Sequence, residues 1–320
     1  MNALPLGTVV NVFAPATVAN LGPGFDALGL ALGEFGDTVE ARGVPGEAGR
    51  VTIVAISGEA GGIPLEAGRN CAGRAAAAVI ERLDADRRPA GEVEMRLHKG
   101  MPQGSGLGSS ASSAVAGAVA VNLLCGGSLG VADLLAAALE GEMVAAGAAH
   151  ADNVAPALLG GFTVVRSHTP PAVTRLPLPD NLRVVIALPK LTISTREARA
   201  ILPDLVALAD AASNWAHAAA LVAAVARGDV PGIGAAVVDR VIEPVRSRLI
   251  PGFHDVRRAA LDAGAFGCSI SGSGPALFAI ALPHTAGEVG VAMREAFRRH
   301  GLEAGCRTCS PDNRGARRID

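Results

Sequence analysis

No tyrosine occurs anywhere in the 320 residues, and aromatic side chains make up only 3% of the chain. A surface that stacks nucleic-acid bases is excluded on that count, because such surfaces are built from aromatic rings. No charge of either sign dominates: 28 basic residues stand against 30 acidic ones, a net charge of −2. There is therefore no global positive field to draw in nucleic acid or anionic lipid. The N-terminus shows no basic region followed by an apolar run, so no signal peptide is read there. The Ala-rich stretch 111–124 is interrupted by Ser112, Ser113, Gly117 and Asn122 and is too short to cross a membrane. Cysteine is sparse. Its five positions (71, 125, 268, 306 and 309) form no regular framework, as in a reducing compartment. These absences lead to the expectation of a cytoplasmic protein with neither nucleic acid nor membrane as partner. Cys306 and Cys309 form a CxxC, but zinc needs about four ligands and no second pair lies nearby. Two small residues near a C-terminal strand is the simpler reading.

Small and apolar residues fill the space. Half of the chain is hydrophobic, enough to bury a sizeable core rich in Ala, Val and Leu. The length suits one large domain or two ordinary ones. Strands are expected at 8–13, 37–42, 51–56, 92–98, 163–165 and 183–189, where β-branched or alternating apolar residues occur. Segment 14–32 holds three glycines and two prolines and reads largely as loop, as does 150–162. Helical spacing appears over 70–84, with Asn70 as cap, and over 109–124, 131–147, 196–230 and 286–300. The proline cluster 168–180 is the best candidate boundary. Strands mixed with paired helices indicate α+β layering.

One stretch stands out chemically. GSGLGSSAS (104–112) lies between an expected strand and an expected helix. With 40 glycines in the chain, a GxG arises by chance about five times, against a usual glycine share of ~7%. Context matters more than the pattern. Glycines let backbone N–H groups approach an anion, and a helix start adds free donors and a positive dipole end. On the loop alone, a phosphate grip and a tight turn with a serine cap are equally good readings. The Gly-Lys-Ser/Thr ending of the common phosphate loop is missing, and so is the βαβ fingerprint of a dinucleotide site.

MPQGSGLGSSAS resembles the central motif of the GHMP kinases, named for galactokinase, homoserine kinase, mevalonate kinase and phosphomevalonate kinase. APATVANLGPGFDALGLAL resembles their N-terminal motif and SGSGPALFAI their C-terminal glycine loop, all in the family's order. ANLGPGFD, HADNVAPALLGGF, STREAR and EPVRSRLIPGF are similar to the homoserine kinases within that superfamily. The resemblance implies a two-domain α+β fold. Residues 1–166 would form a ribosomal-protein-like domain with a left-handed βαβ crossover, and residues 167–320 a ferredoxin-like domain, with the site in the cleft between them. It implies transfer of the γ-phosphoryl of ATP, with Mg²⁺, to the side-chain hydroxyl of L-homoserine. The product is O-phospho-L-homoserine, a threonine precursor. Members are often dimers, so a homodimer is expected.

The resemblance also assigns residues. Pro102, Gln103, Gly104, Ser105, Gly106, Leu107, Gly108, Ser109, Ser110, Ala111 and Ser112 would wrap the ATP phosphates. Asn70 would lie beside the adenine. Lys99, from its place just before the loop, reads either as a cation that neutralises phosphate charge or as a solvated lysine at a strand end. Ser110 and Glu142 would hold Mg²⁺, with Glu140 a rival to Glu142. For homoserine, Asp26 suits the ammonium, Arg199 and Arg246 suit the carboxylate, since arginine clasps it with two parallel bonds, and Asn20 and His150 add polar contacts. Taken singly, each also has an ordinary structural reading as a helix cap or a surface ion pair. Asn153 and Thr195 would orient the acceptor hydroxyl. Asn153 cannot take a proton at neutral pH, and Asp152 is expected to point elsewhere, so no strong base is expected.

Overall fold

The computed structural model describes residues 5–59 and 61–319. Two long antiparallel strands, β1 (Val9–Ala19) and β2 (Leu28–Val44), open the first sheet. The expected loop 14–32 thus shrinks to 20–27. Pro15 is tolerated in β1 because the register shifts between Pro15 and Ala16; a bulge is where a residue lacking N–H fits in a sheet. β3 (Val51–Gly58) leads through α1 (Cys71–Arg82) to β4 (Glu92–Lys99), which runs parallel to β3. This is the βαβ unit. Asn70 caps α1 as expected, its side-chain oxygen accepting from Ala72 N at 3.0 Å and Gly73 N at 3.3 Å. The glycine loop then enters α2 (Ser109–Leu124), followed by α3 (Val131–Ala146) and α4 (Ala151–Leu159).

Helix α4 replaces the second expected loop. Its Pro156 leaves the carbonyl of Asp152 without a helical donor, and Gly29 of β2 lies directly against that carbonyl: a Cβ there would be 1.9 Å from it. β5 (Phe162–His168) pairs with β2 and with β6 (Pro171–Leu176). The proline cluster therefore supplies a hairpin strand, and the first sheet runs on past residue 166.

The second sheet has the order β10-β7-β9-β8, built from β7 (Arg183–Pro189), β8 (Gly267–Ile270), β9 (Leu277–Ala281) and β10 (Ala304–Cys309). Its adjacent strands are all antiparallel, the order of a ferredoxin-like sheet. Between β7 and β8 come α5 (Thr195–Ala200), α6 (Leu208–Arg227), α7 (Val230–Ala235), α8 (Glu243–Arg246) and α9 (Phe253–Asp262). α10 (Ala286–Arg299) precedes β10, and β11 (Arg317–Ile319) returns to pair with β1.

Three apolar layers result. One lies between the first sheet and α1–α4, a third between the second sheet and α9–α10. The middle one joins the two sheets, with Val18, Leu30 and Phe162 from one side meeting Val184, Phe278 and Ile280 from the other. Each such side chain contributes about 1.5–3 kcal/mol on burial. The two halves are thus cemented face to face, with a cleft along their common edge.

Candidate active site

The cleft has a volume of about 820 Å³ and collects residues from both halves. One wall is the glycine loop. Gly104, Gly106 and Gly108 all have positive φ (63°, 81° and 69°). A Cβ on Gly106 would lie 2.4 Å from Ser271 O, and one on Gly108 would lie 2.0 Å from Thr17 Oγ1. Only glycine meets both the φ and the space. Ser112 N makes the first i→i−4 bond of α2, to Gly108 O at 2.9 Å. The amides of Ser109, Ser110 and Ala111 precede it and have no helical acceptor.

Contact with the cleft is uneven along this loop. Gln103, Gly104, Ser105, Gly106, Gly108, Ser109 and Ser110 line it; Pro102, Leu107, Ala111 and Ser112 do not. Leu107 anchors the loop in the middle apolar layer and Ala111 packs in the first. Ser112 Oγ donates to Ala14 O (2.7 Å) and accepts from Asp37 N (3.1 Å). The side chains of these residues hold the loop to the sheet.

Lys99 is likewise a brace. Its ammonium donates to Asp37 Oδ2, to Ser109 O (2.8 Å) and to Ser113 Oγ (2.6 Å). All three of its donors are taken beneath the loop, while the residue also borders the cleft. Burial pushes the Asp37 carboxyl up against the pull of Lys99. Asp37 and Ser113 gave no signal in the sequence, since a lone carboxylate in a strand reads as solvent-facing. Asn70 lines the cleft while capping α1, and its amide nitrogen donates to Pro64 O at 2.9 Å.

On the opposite side, Ser110 Oγ donates to Glu142 Oε1 at 3.0 Å, and His150 Nδ1 lies 3.1 Å from the same oxygen. Burial disfavours a charged His150, but the hydrogen bond and charge of Glu142 outweigh it and its pKa is raised. Glu142 Oε2 is buried without a partner. Glu140, the rival, pairs instead with Arg74 and Arg82 at the surface.

The far end is built on loop 20–27, where Asn20, Leu21 and Asp26 all have positive φ, a conformation that costs of order 1 kcal/mol each. Asn20 accepts from Asp26 N (3.0 Å) and donates to Gly272 O (2.9 Å). Arg246 Nη1 donates to the same Gly272 carbonyl at 2.9 Å. The second glycine loop thus ties two of the expected substrate residues together, and Gly272 and Ser273 themselves line the cleft. Arg199 Nη2 donates to both oxygens of Asp26, and the ring of Phe25 lies 5.4 Å from the Arg199 guanidinium and 5.2 Å from that of Arg246. Phe25 was missed in the sequence although it adjoins Asp26. Burial, then the nearby Arg199, lowers the Arg246 pKa. Thr195 lines the cleft at the first position of α5.

Asp152, expected to point elsewhere, lines the cleft beside Asn153. Asn153 Oδ1 accepts from Thr17 Oγ1 at 2.7 Å. Asp152 is buried, its Oδ1 has no partner, and burial followed by the neighbouring Asp26 pushes its pKa up to about 7. Buried polar atoms are nearly always paired. Among the described residues, five side-chain atoms are exceptions: Ser105 Oγ, Glu142 Oε2, His150 Nε2, Asp152 Oδ1 and Arg199 Nε. All five residues line this cleft.

Comparison with known proteins matches the same frame. The GHMP kinases N terminal domain matches residues 70–161 and the GHMP kinases C terminal domain matches residues 221–299. The homoserine kinase of Chlorobium phaeobacteroides (strain BS1) is 42% identical over 293 residues, covering 90% of this chain and 92% of that one. The chain belongs to the GHMP kinases. Among the relatives of this GHMP kinase, the homoserine kinase of Arabidopsis thaliana is 45% identical over 322 residues, 99% of this chain and 86% of that one. The crystal structure of homoserine kinase from Cytophaga hutchinsonii superposes with a TM-score of 0.91 at 43% identity and full coverage of both chains. A mevalonate kinase from L. major shares the fold, with a TM-score of 0.71 at 16% identity, covering 97% of this chain and 98% of that one.

Proposed function

We infer that this GHMP kinase transfers the γ-phosphoryl group of ATP to the side-chain hydroxyl of L-homoserine, giving O-phospho-L-homoserine and ADP. The observation that carries the acceptor is the polar end of the cleft. Asp26 and two arginines converge there, one of them with an unpaired buried nitrogen. An amino acid presents one anion and one cation a few ångströms apart, and this set answers both. Mevalonate and sugars carry no ammonium to match Asp26, whose carboxylate would then keep Arg199 as its counter-ion. Relatives at 40–45% identity, named homoserine kinase, support the same reading.

The geometry supports a role for each residue. Phosphoryl transfer needs alignment and charge stabilisation more than covalent help. The glycine-loop amides and the start of α2 face the phosphates, and Lys99 keeps that loop rigid from below. Ser110 and Glu142 suit Mg²⁺: a hydroxyl and a carboxylate with one unpaired oxygen leave room for waters and phosphate oxygens. When bound, Mg²⁺ neutralises phosphate charge. Arg199 and Arg246 clasp the homoserine carboxylate, Asp26 takes the ammonium, and Asn20 and His150 border it. Asn153, steadied by Thr17, and Thr195 orient the hydroxyl. Asp152, whose carboxyl titrates near neutrality, takes the hydroxyl proton as general base.

The direct test is ADP release with Mg-ATP and L-homoserine, L-threonine, mevalonate or galactose. Turnover with L-homoserine alone, lost in Arg246→Ala, is the expected result. Turnover with mevalonate or galactose would overturn the acceptor assignment while keeping the kinase.

A further inference from the structure

Among the described residues, five lysine and arginine side chains border the cleft: Arg69, Lys99, Arg196, Arg199 and Arg246. Four of them are committed. Lys99 is held beneath the glycine loop, Arg199 by Asp26, and Arg246 by the carbonyls of Ala198 and Gly272. Arg69 lies 3.8 Å from Glu66. Arg196 alone of the five makes no hydrogen bond or ion pair with a described residue. Its neighbour Glu197 is engaged elsewhere: that carboxylate accepts from Ser194 N at 3.0 Å and from Ser194 Oγ at 2.7 Å, closing the capping box of α5. Arg196 therefore keeps its whole guanidinium fork for a ligand.

Its place on α5 decides which ligand. Thr195, Arg196 and Arg199 border the cleft while Ala198 is buried, and residues three or four apart share one face of a helix. The chain enters α5 beside the glycine loop: a Cβ on Gly104 would lie 2.9 Å from Thr192 Cγ2. It leaves toward loop 20–27, where Arg199 holds Asp26. Three residues of helix span about 4.5 Å, so Arg196 stands nearly one turn closer to the phosphates than Arg199 does. Helical side chains also lean back toward the start of their helix, here toward the glycine loop. We propose that Arg196 grips the γ-phosphoryl group of ATP as it is transferred, an inference that rests on the phosphoryl-transfer reading above. In that step the acceptor oxygen bonds to the γ-phosphorus and the β–γ bridging P–O bond breaks. The electron pair of the broken bond leaves with ADP, and the hydroxyl proton goes to Asp152. Negative charge is meanwhile spread over the outer oxygens of the moving group. A planar guanidinium stabilises that charge with two parallel N–H bonds.

The experiment compares Arg196→Gln and Arg196→Lys with the parent chain. Position 196 is exposed, and both replacements are good helix formers, so both variants should melt like the parent. Initial rates are measured over Mg-ATP and L-homoserine. Binding of ADP and of the β,γ-imido analogue of ATP is measured by calorimetry without acceptor. Arg196→Gln should lower kcat about 10–100-fold, the range for one lost charged contact, and weaken the analogue several-fold. The KM for L-homoserine and the affinity for ADP, which has no γ-phosphate, should not change. Arg196→Lys should recover part of kcat as a point charge without the fork. Rates and analogue affinity equal to the parent's would leave Arg196 a solvated side chain and overturn the proposal. A raised KM for L-homoserine would overturn it in favour of the acceptor carboxylate, and equal weakening of ADP and analogue in favour of the β-phosphate. A parent that releases no ADP with L-homoserine would fail the acceptor reading instead, and the paired analogue and ADP affinities would still decide the role of Arg196.

Discussion

Asp26 and Arg199 are joined by two hydrogen bonds, 2.7 and 2.9 Å, between one guanidinium nitrogen and both carboxylate oxygens. Asp26 comes from the loop after β1 and Arg199 from α5 of the other half, so the pair bridges the cleft. Arg199→Ala should raise the KM for L-homoserine about 10–100-fold, the worth of one charge-assisted contact at ~1.5–3 kcal/mol, with the KM for ATP unchanged. Arg199→Lys should recover little, because an ammonium lacks the planar fork. Initial rates over both substrates decide this.

Phe25 holds two like charges side by side through its ring faces. Each such contact contributes ~0.5–2 kcal/mol. Phe25→Leu keeps apolar volume and should still raise the L-homoserine KM several-fold, whereas Phe25→Trp should stay near the parent value. Equal kinetics for the two variants would reduce Phe25 to packing.

Asp152 faces Asp26, His150 and Arg199, and its carboxyl lies near pH 7 because of burial first and Asp26 second. As a general base it should give kcat/KM an acidic limb near that pH, absent in Asp152→Asn, which should also be slow. The same shift has a sign for stability. Between the ordinary carboxylate range and about pH 7, the native state holds a proton that the unfolded chain has released. Stability from this group therefore falls as pH rises through that window. Asp152→Asn should flatten the fall and raise the Tm at pH 8, measured by thermal melts across pH.

The Lys99–Asp37 pair is buried on both sides. Removing one partner leaves a buried charge, which typically costs about 3–5 kcal/mol. Lys99→Met should show that loss in denaturant titration. Lys99→Met with Asp37→Asn should recover part of it, while ATP binding stays weakened because the brace under Ser109 is gone.

The motifs were legible in the sequence because short-range chemistry fixes them. Asn70 before an apolar helix, and three glycines ahead of Ser109, state their roles locally. Strand β1 running through Pro15 was not legible, because only the partner strand β2 creates the bulge that admits a proline. Helix α4 was hidden for a similar reason: Gly29, over 120 residues away in sequence, accommodates the carbonyl that Pro156 leaves free. Asp37, Phe25 and Gly272 matter through partners brought together by folding, and no spacing rule reaches them.

The middle apolar layer between the two sheets bears on how the catalyst works. Domain halves that meet through a thin polar contact swing about a hinge as a matter of course, but a large hydrophobic junction resists it. Here Phe278 and Phe162 share one sealed layer just behind the cleft. Closing the halves like a jaw would tear that layer open. Adaptation to substrates therefore falls to side chains and short loops, above all Arg199 and loop 20–27. Small-angle scattering profiles with and without nucleotide and acceptor should superimpose.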